Sequence, residues 1–202
     1  MILKELLSLL AIALTFVAFV PYIRSILNRQ TRPHVFSWCI WSTTTLIIFF
    51  AQLDDGAGVG AWPTAVSACI TGFVAYLAYK NKADASITKI DVLFFLAALS
   101  SLPFWYLSSN PLSAVIILTI IDTLGFAPTF RKTYVRPFEE GRSFFALIAI
   151  RNAVAIMALE HFSTTTVLFP AVIACSCLLL LVLIAYRRRI LLTKLNAKKP
   201  HE

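Results

Sequence analysis

The polar residues best placed to do chemistry lie inside two successive apolar segments: Asp122 in the first, Arg151 and Asn152 in the second. A charged side chain near the centre of a bilayer costs roughly 2.5 to 3.5 kcal/mol on insertion scales, so an acid and a base on neighbouring segments are most simply interpreted as partners. Such a pair can bind a zwitterionic or carboxylated solute between its charges, or couple solute movement to a proton on Asp122. The alternative is a structural ion pair between two helices.

Aromatic and hydroxyl side chains add candidate binding residues on an earlier segment. Trp38 and Trp41 are three residues apart and share a helical face, which Thr45 continues four residues later. An indole beside hydroxyl groups can form a stacking wall for a small solute, and Trp41 is favoured because it lies deeper in the segment. The alternative is that both indoles serve helix packing or the bilayer interface.

The elements that must position these residues are helices in lipid. The chain has 202 residues, of which 59% are hydrophobic and 14% charged, and its mean hydropathy is +0.80. A globule of this size has too little interior to hide so many apolar side chains, which excludes an ordinary soluble domain. The net charge of +8 does not indicate nucleic acid as a partner, because the basic residues lie between long apolar runs rather than on one face.

Seven apolar segments have about the length that a helix needs to cross the hydrocarbon core. They lie at 3–26, 35–53, 61–79, 90–108, 112–131, 143–159 and 163–186. Asp122 falls about ten residues into the fifth segment and Arg151 about nine into the sixth, so at about 1.5 Å per residue both are expected near mid-bilayer.

The connecting loops predict the orientation of these segments. Basic residues concentrate on one side, in the first, third and fifth loops and in the tail after Tyr186, whereas Lys4 is the basic residue on the other side, together with acidic residues such as Asp54, Asp55 and Glu160. The positive-inside rule then places the amino terminus outside and the carboxyl terminus in the cytoplasm, which requires an odd number of crossings. We expect a multi-pass protein of the bacterial inner membrane.

An internal repeat organises the seven segments. A shift of 107 residues superimposes Pro21 on Pro128 and Arg24 on Arg131, and it maps the first three segments onto the last three. The fourth segment supplies the inversion that keeps the two halves parallel. The predicted fold class is therefore all-α, an integral membrane protein of seven transmembrane helices in a 3+1+3 plan. Its parts are a first three-helix bundle (1–82), a linker helix (83–111), a second three-helix bundle (112–189) and a basic cytoplasmic tail (190–202).

The same register shows what is special about the second half. Asp122 falls on Thr15, Arg151 on Thr44 and Asn152 on Thr45, so charged residues elaborate an otherwise neutral scaffold.

Two short motifs carry a family resemblance. The chain resembles the PQ-loop and SWEET transporter superfamily over nearly its whole length, in that a proline and a following basic loop recur near the cytoplasmic ends of the first and fifth segments: Val20-Pro21-Tyr22-Ile23-Arg24 and Ala127-Pro128-Thr129-Phe130-Arg131. The resemblance implies a carrier that alternates access between two bundles, with Pro21 and Pro128 as hinges. Tyr22 and Thr129 replace the glutamine of the motif, and the third and seventh segments have no membrane-depth asparagine of the kind that binds sugar in SWEETs.

The chain is also similar to a bacterial group of PQ-loop-like proteins that carry an Arg-Pro-His followed by Phe-Ser-Trp, here Arg32-Pro33-His34 and Phe36-Ser37-Trp38. That similarity implies no particular substrate.

We therefore predict a membrane carrier of a small polar metabolite, with the lipid bilayer as its other partner and a homo-oligomer left open. A receptor or sensor on the same scaffold is the alternative. An enzyme is not predicted, because the segments offer no nucleophile and base at membrane depth. No cofactor or metal is predicted, and the four cysteines are expected to be buried apolar residues. The run Gly56, Gly58 and Gly60 is interpreted as a flexible outer turn.

Overall fold

The computed structural model describes residues 2–29, 33, 35–81, 89–135, 137–138 and 142–197, and of residues 90, 91, 94, 127, 128, 131, 132 and 194–197 it describes the backbone alone. Several predicted features lie outside the described residues. They are the Arg32 and His34 positions of the second motif, Arg136, most of the loop before the fourth segment, and the end of the basic tail.

The described part of the chain is helical and contains no strand. Its α-helices are α1 (Ile2–Leu27), α2 (Val35–Asp54), α3 (Trp62–Lys80), α4 (Lys89–Ser108), α5 (Leu112–Gly125), α6 (Ala127–Val135), α7 (Arg142–Ala158) and α8 (Thr164–Ala197), and a 3₁₀-helix, Gly58–Ala61, precedes α3. The all-α prediction is confirmed, and the predicted segment ends agree closely with these bounds except in the last two-fifths of the chain.

Four stretches of helix are long and apolar enough to cross a membrane. They are Ile2–Leu27, Val35–Asp54, Gly58–Lys80 and Thr164–Thr193. Two shorter apolar helical stretches, Phe95–Ser108 and Leu112–Gly125, accompany them. The lengths and compositions of these helices fit a multi-pass membrane protein.

The fifth predicted segment is two helices rather than one. A turn at Phe126 separates α5 from α6, and Pro128 is the second residue of α6. Proline has no backbone N–H to bond to the preceding turn and disfavours helical conformation in the residue before it, which explains a break at this point. Pro21, the repeat-equivalent residue, lies instead inside the uninterrupted helix α1. The two predicted hinge prolines therefore stand in different local structures.

The last helix continues well beyond the predicted segment end at residue 186. α8 runs to Ala197 and includes the arginines at 187–189. Arg187 Nε donates to Tyr134 O at 2.9 Å, and its guanidinium lies 4.0 Å from the centroid of the Tyr134 ring. Arg188 Nε donates to Pro137 O at 2.9 Å. These contacts tie the basic part of α8 to α6 and the turn that follows it.

The lateral order of the helices is the same in both halves of the chain. α3 packs against both α1 and α2, and α8 packs against both α5 and α7. Across the middle of the structure, α1 packs against α7 and α2 against α5, while α4 lies against α5 and α2. The two groups, α1–α3 and α5–α8, are called the first and second bundles below.

Small residues let the two bundles approach closely. On α1 the buried positions Ser8, Ala11, Thr15 and Ala18 recur every three or four residues and so form one helical face. Membrane helices pack through such faces because small side chains bring the backbones together. The opposite face of α1 exposes large apolar side chains, including Leu9, as a lipid-facing surface requires.

The bundles are hydrogen-bonded to each other at the end that carries Lys4, called the Lys4 end; the opposite end, which carries Arg24, is called the basic end. Lys4 Nζ donates to Met157 O (2.8 Å) and Leu159 O (2.7 Å), where the last carbonyls of α7 lack helical partners. Glu160 Oε1 accepts the Val59 N–H at 3.2 Å. The acidic and basic residues predicted to share this side do meet here.

The glycine run is a 3₁₀-helix packed against α7 rather than a flexible turn. Gly56 and Gly58 have φ of 77° and 58°, a backbone region that favours glycine. Gly60 approaches the backbone of Leu159 so closely that a β-carbon at this position would lie 2.5 Å from its Cα. This approach joins the two bundles at the Lys4 end.

Candidate functional site

Five polar side chains meet where the bundles face each other. Thr15 of α1, Thr44 of α2, Asp122 of α5, and Arg151 and Asn152 of α7 are all buried, with exposed fractions between 0% and 6%. Each of the first, second and fourth helices contributes from near its middle, and Asp122 lies about one turn before the Phe126 break. We call these five residues the polar layer.

Asp122 is held by the first bundle. Thr44 Oγ1 lies 2.7 Å from Asp122 Oδ1 and 3.0 Å from Trp41 O, so this hydroxyl links the carboxyl group to the α2 backbone. The position of Thr44 follows from its helix: its neighbours on the same face of α2, including Ile40, Ile47 and Ile48, are buried in the main apolar core. The carboxyl group is therefore anchored inside an apolar surrounding by one hydroxyl.

Arg151 is likewise held by the first bundle. Its Nε donates to Thr15 Oγ1 at 3.0 Å, one terminal nitrogen donates to Asn152 Oδ1 at 2.8 Å, and the other donates to Pro63 O. Asn152 Nδ2 donates to Ile148 O at 2.8 Å, which orients the amide oxygen toward the guanidinium. The acceptors of all three Arg151 bonds are neutral.

The predicted pairing of Asp122 with Arg151 is wrong. Both side chains lie in the described part of the chain, and there they form no ion pair with each other. The reason is the lateral order of the helices: α8 packs against both α5 and α7 and stands between them. Each charged residue finds its partner in the opposite bundle instead.

The two inter-bundle hydrogen bonds exchange under the internal repeat. A shift of 107 residues turns Thr15 into Asp122 and Thr44 into Arg151, so the bond between Thr15 and Arg151 corresponds to the bond between Thr44 and Asp122. The helix pairs that carry them, α1 with α7 and α2 with α5, exchange in the same way. Thr15 and Thr44 were missed as functional residues, although the repeat register had already marked them as the equivalents of the charged pair.

The remaining predicted residues lie beside the polar layer. Thr45 is buried next to Thr44. Trp41 packs on the backbone of α5, where a β-carbon on Gly125 would lie 2.8 Å from its Nε1. Its ring centroid is 5.3 Å from that of Trp38, at an interplanar angle of 83°.

Trp41 thus belongs to an aromatic cluster toward the basic end. Trp38 stacks on Tyr22 at 5.3 Å between centroids, and Phe19 of α1 meets Phe144 of α7 edge-on at 5.7 Å. The cluster spans both bundles and closes the polar layer from that side.

A surface groove of about 440 Å³ lies elsewhere, between α2 and α3. Its lining includes Cys39, Ser42, Gly72, Tyr76 and Tyr79 and none of the polar-layer residues. The polar layer itself is closed, since all its members are buried. The residues predicted to bind solute therefore stand in a closed arrangement rather than in the open groove.

No family model, curated protein or solved structure matches the chain. The geometry of the polar layer therefore carries the functional argument.

Thr44→Val is expected to lower the free energy of unfolding by about 1 to 3 kcal/mol, because it leaves the buried Asp122 carboxyl group without its hydrogen-bond donor. Thr43→Val is the matched control: the Thr43 hydroxyl bonds only to Cys39 O of its own helix, at 2.9 Å, and its loss should change stability by less than about 0.5 kcal/mol. Denaturant unfolding in detergent micelles measures both. In an Asp122→Leu background the Thr44 substitution should cost much less, and equal costs in the two backgrounds would contradict the bond.

Proposed function

We propose that the chain is a membrane carrier of a small polar metabolite. In this proposal seven crossings form two three-helix bundles, with α5 and α6 together making one crossing and α4 linking the bundles. Three observations support the plan: the lateral order repeats, α1 faces α7 as α2 faces α5, and the hydrogen bonds at the contact exchange under the repeat. The resemblance to PQ-loop and SWEET transporters implies the same architecture.

The observation that carries the function is the polar layer. An acid and a base, both buried and both placed where two related bundles meet, are costly to keep in an apolar interior and mark a solute or ion path by default. In carriers built from repeats, the solute site lies near the midplane at the repeat interface. Asp122, Arg151 and Asn152 are the proposed solute-binding or coupling residues, with Trp41 and Thr45 beside them.

The contacts at the two ends suggest how access alternates. At the Lys4 end the bundles are joined by hydrogen bonds such as those from Lys4 to the carbonyl groups of α7. At the basic end they are joined by ring packing between Phe19 and Phe144. In the described conformation both ends are closed around the polar layer. Rocking one bundle against the other would open one set of contacts while keeping the other, with the break at Phe126 and Pro21 as the proposed hinges.

Asp122→Asn is expected to reduce uptake at least about tenfold, because the amide retains the shape of the carboxyl group but loses its charge and its ability to carry a proton. The assay is uptake of a mixed pool of labelled small metabolites into proteoliposomes, with saturation as the criterion for a carrier. Asp54→Asn is the matched control, since Asp54 is exposed at the end of α2, and it should transport like the wild type.

Three outcomes would count against this function. Wild-type uptake by the Asp122→Asn variant would remove Asp122 from the mechanism. A well-folded wild-type protein that binds but does not move any solute would favour a receptor or sensor. Conversion of a solute to a product would favour an enzyme.

A further inference from the structure

Building on the carrier function proposed above, we propose that the transported solute bears a carboxylate group and that Arg151 binds it. The starting observation is a charge without a counter-charge. The three described partners of Arg151 are a hydroxyl, a side-chain amide and a backbone carbonyl, all of them neutral.

The other ionisable member of the polar layer does not compensate this charge. Asp122 is bonded to Thr44 and forms no ion pair with Arg151 within the described residues. A buried cation without an anionic partner is costly in an apolar interior. An anion that enters the layer and contacts the guanidinium would remove that cost, which favours a negatively charged solute over a neutral one.

The geometry of the guanidinium favours a carboxylate among anions. The group has five N–H donors, and the bonds to Thr15, Asn152 and Pro63 use the one on Nε and one on each terminal nitrogen. One donor therefore remains on each terminal nitrogen. Two parallel N–H groups on neighbouring nitrogens match the two oxygens of a carboxylate.

The surrounding bonds prepare Arg151 for this role. Thr15 Oγ1 accepts from Nε and is itself bonded to Ala11 O at 2.8 Å, so it fixes the guanidinium from the first bundle. Asn152 fixes it from α7, its own helix. By contrast, Arg187 lies at the basic end near the protein surface, where solvent or lipid headgroups can compensate its charge.

The test compares acids with their own amides on the purified wild-type protein. Acetate, lactate, succinate and glutamate are each added at millimolar concentration beside the corresponding carboxamide, and the melting temperature in detergent is measured, because a ligand that binds the folded state raises it. At least one acid should raise the melting temperature and its amide should not. Chloride, sulfate and phosphate salts at matched ionic strength serve as inorganic probes.

Variants then locate the binding residue. Arg151→Gln should weaken the binding of the active acid by about a hundredfold, and Arg151→Lys by about tenfold, since lysine keeps the charge but not the paired donors. Arg187→Gln removes the same group from the surface and should bind like the wild type.

Several results would overturn the proposal: equal shifts by acid and amide, shifts by inorganic anions alone, no shift by any acid, or undiminished binding in Arg151→Gln. The acid and amide comparison needs no variant, so it remains decisive if an Arg151 variant does not fold. Because binding is measured without flux, saturable transport of neutral solutes only would remove the carboxylate site and leave the carrier. Acid binding without transport would do the reverse.

Discussion

Replacing Gly60 by alanine is expected to lower the free energy of unfolding by about 3 kcal/mol. A β-carbon at Gly60 would lie 2.5 Å from Cα and 2.6 Å from N of Leu159, and 2.8 Å from C of Ala158. These atoms are backbone at the end of α7, so they can yield only if the helix itself moves. Thermal or denaturant unfolding in detergent micelles measures the loss.

Gly72→Ala is the matched control for this substitution. A β-carbon at Gly72 would meet Ser42 Oγ at 2.9 Å, but this atom is the end of a side chain that can rotate away. Since alanine is also the better helix former, the change in the free energy of unfolding should stay within about 1 kcal/mol and can be stabilising. If Gly60→Ala proves as stable as Gly72→Ala, the close approach between the 3₁₀-helix and α7 is not real.

Replacing Arg151 by methionine is expected to abolish transport while leaving stability nearly unchanged. The substitution removes three described hydrogen bonds, at about 1 kcal/mol each, and also removes a buried charge that costs roughly 2.5 to 3.5 kcal/mol near the bilayer centre. The two effects are of similar size and opposite sign. Methionine also retains an unbranched apolar stem that can fill much of the space.

Uptake of the solute identified in proteoliposomes, together with unfolding of the same preparations, measures both parts of this expectation. Arg187→Met is the control: it should keep transport and lose only its surface contacts with Tyr134. A loss of several kcal/mol in Arg151→Met would make Arg151 a structural staple between the bundles. Retained transport would exclude it from the solute path.

Periodicity and hydropathy were sufficient to predict most helix bounds, because they depend on short-range geometry along the chain. The break between α5 and α6 needed a further element of context. Both Pro21 and Pro128 follow apolar runs, yet only the second stands beside an interruption. Proline weakens a helix locally, and neighbouring helices decide whether the helix continues through it.

The repeat register could be predicted from the sequence but its consequence could not. Matching Asp122 with Thr15 and Arg151 with Thr44 required only the shift of 107 residues. That each charged residue would bond to the equivalent of the other, across the contact between the bundles, depends on which helices are neighbours. Adjacent helices in the chain suggested an ion pair, and the position of α8 between α5 and α7 prevents it.

The sequence by itself determined that the chain is helical and apolar enough for a membrane, that its halves are related, and that two charged residues lie within apolar helices. These properties follow from the order of side chains along each helix. Only the tertiary structure decided the partners of those charges, the closed polar layer and the seat of Gly60 against α7, because lateral helix order results from close packing between residues far apart in the chain.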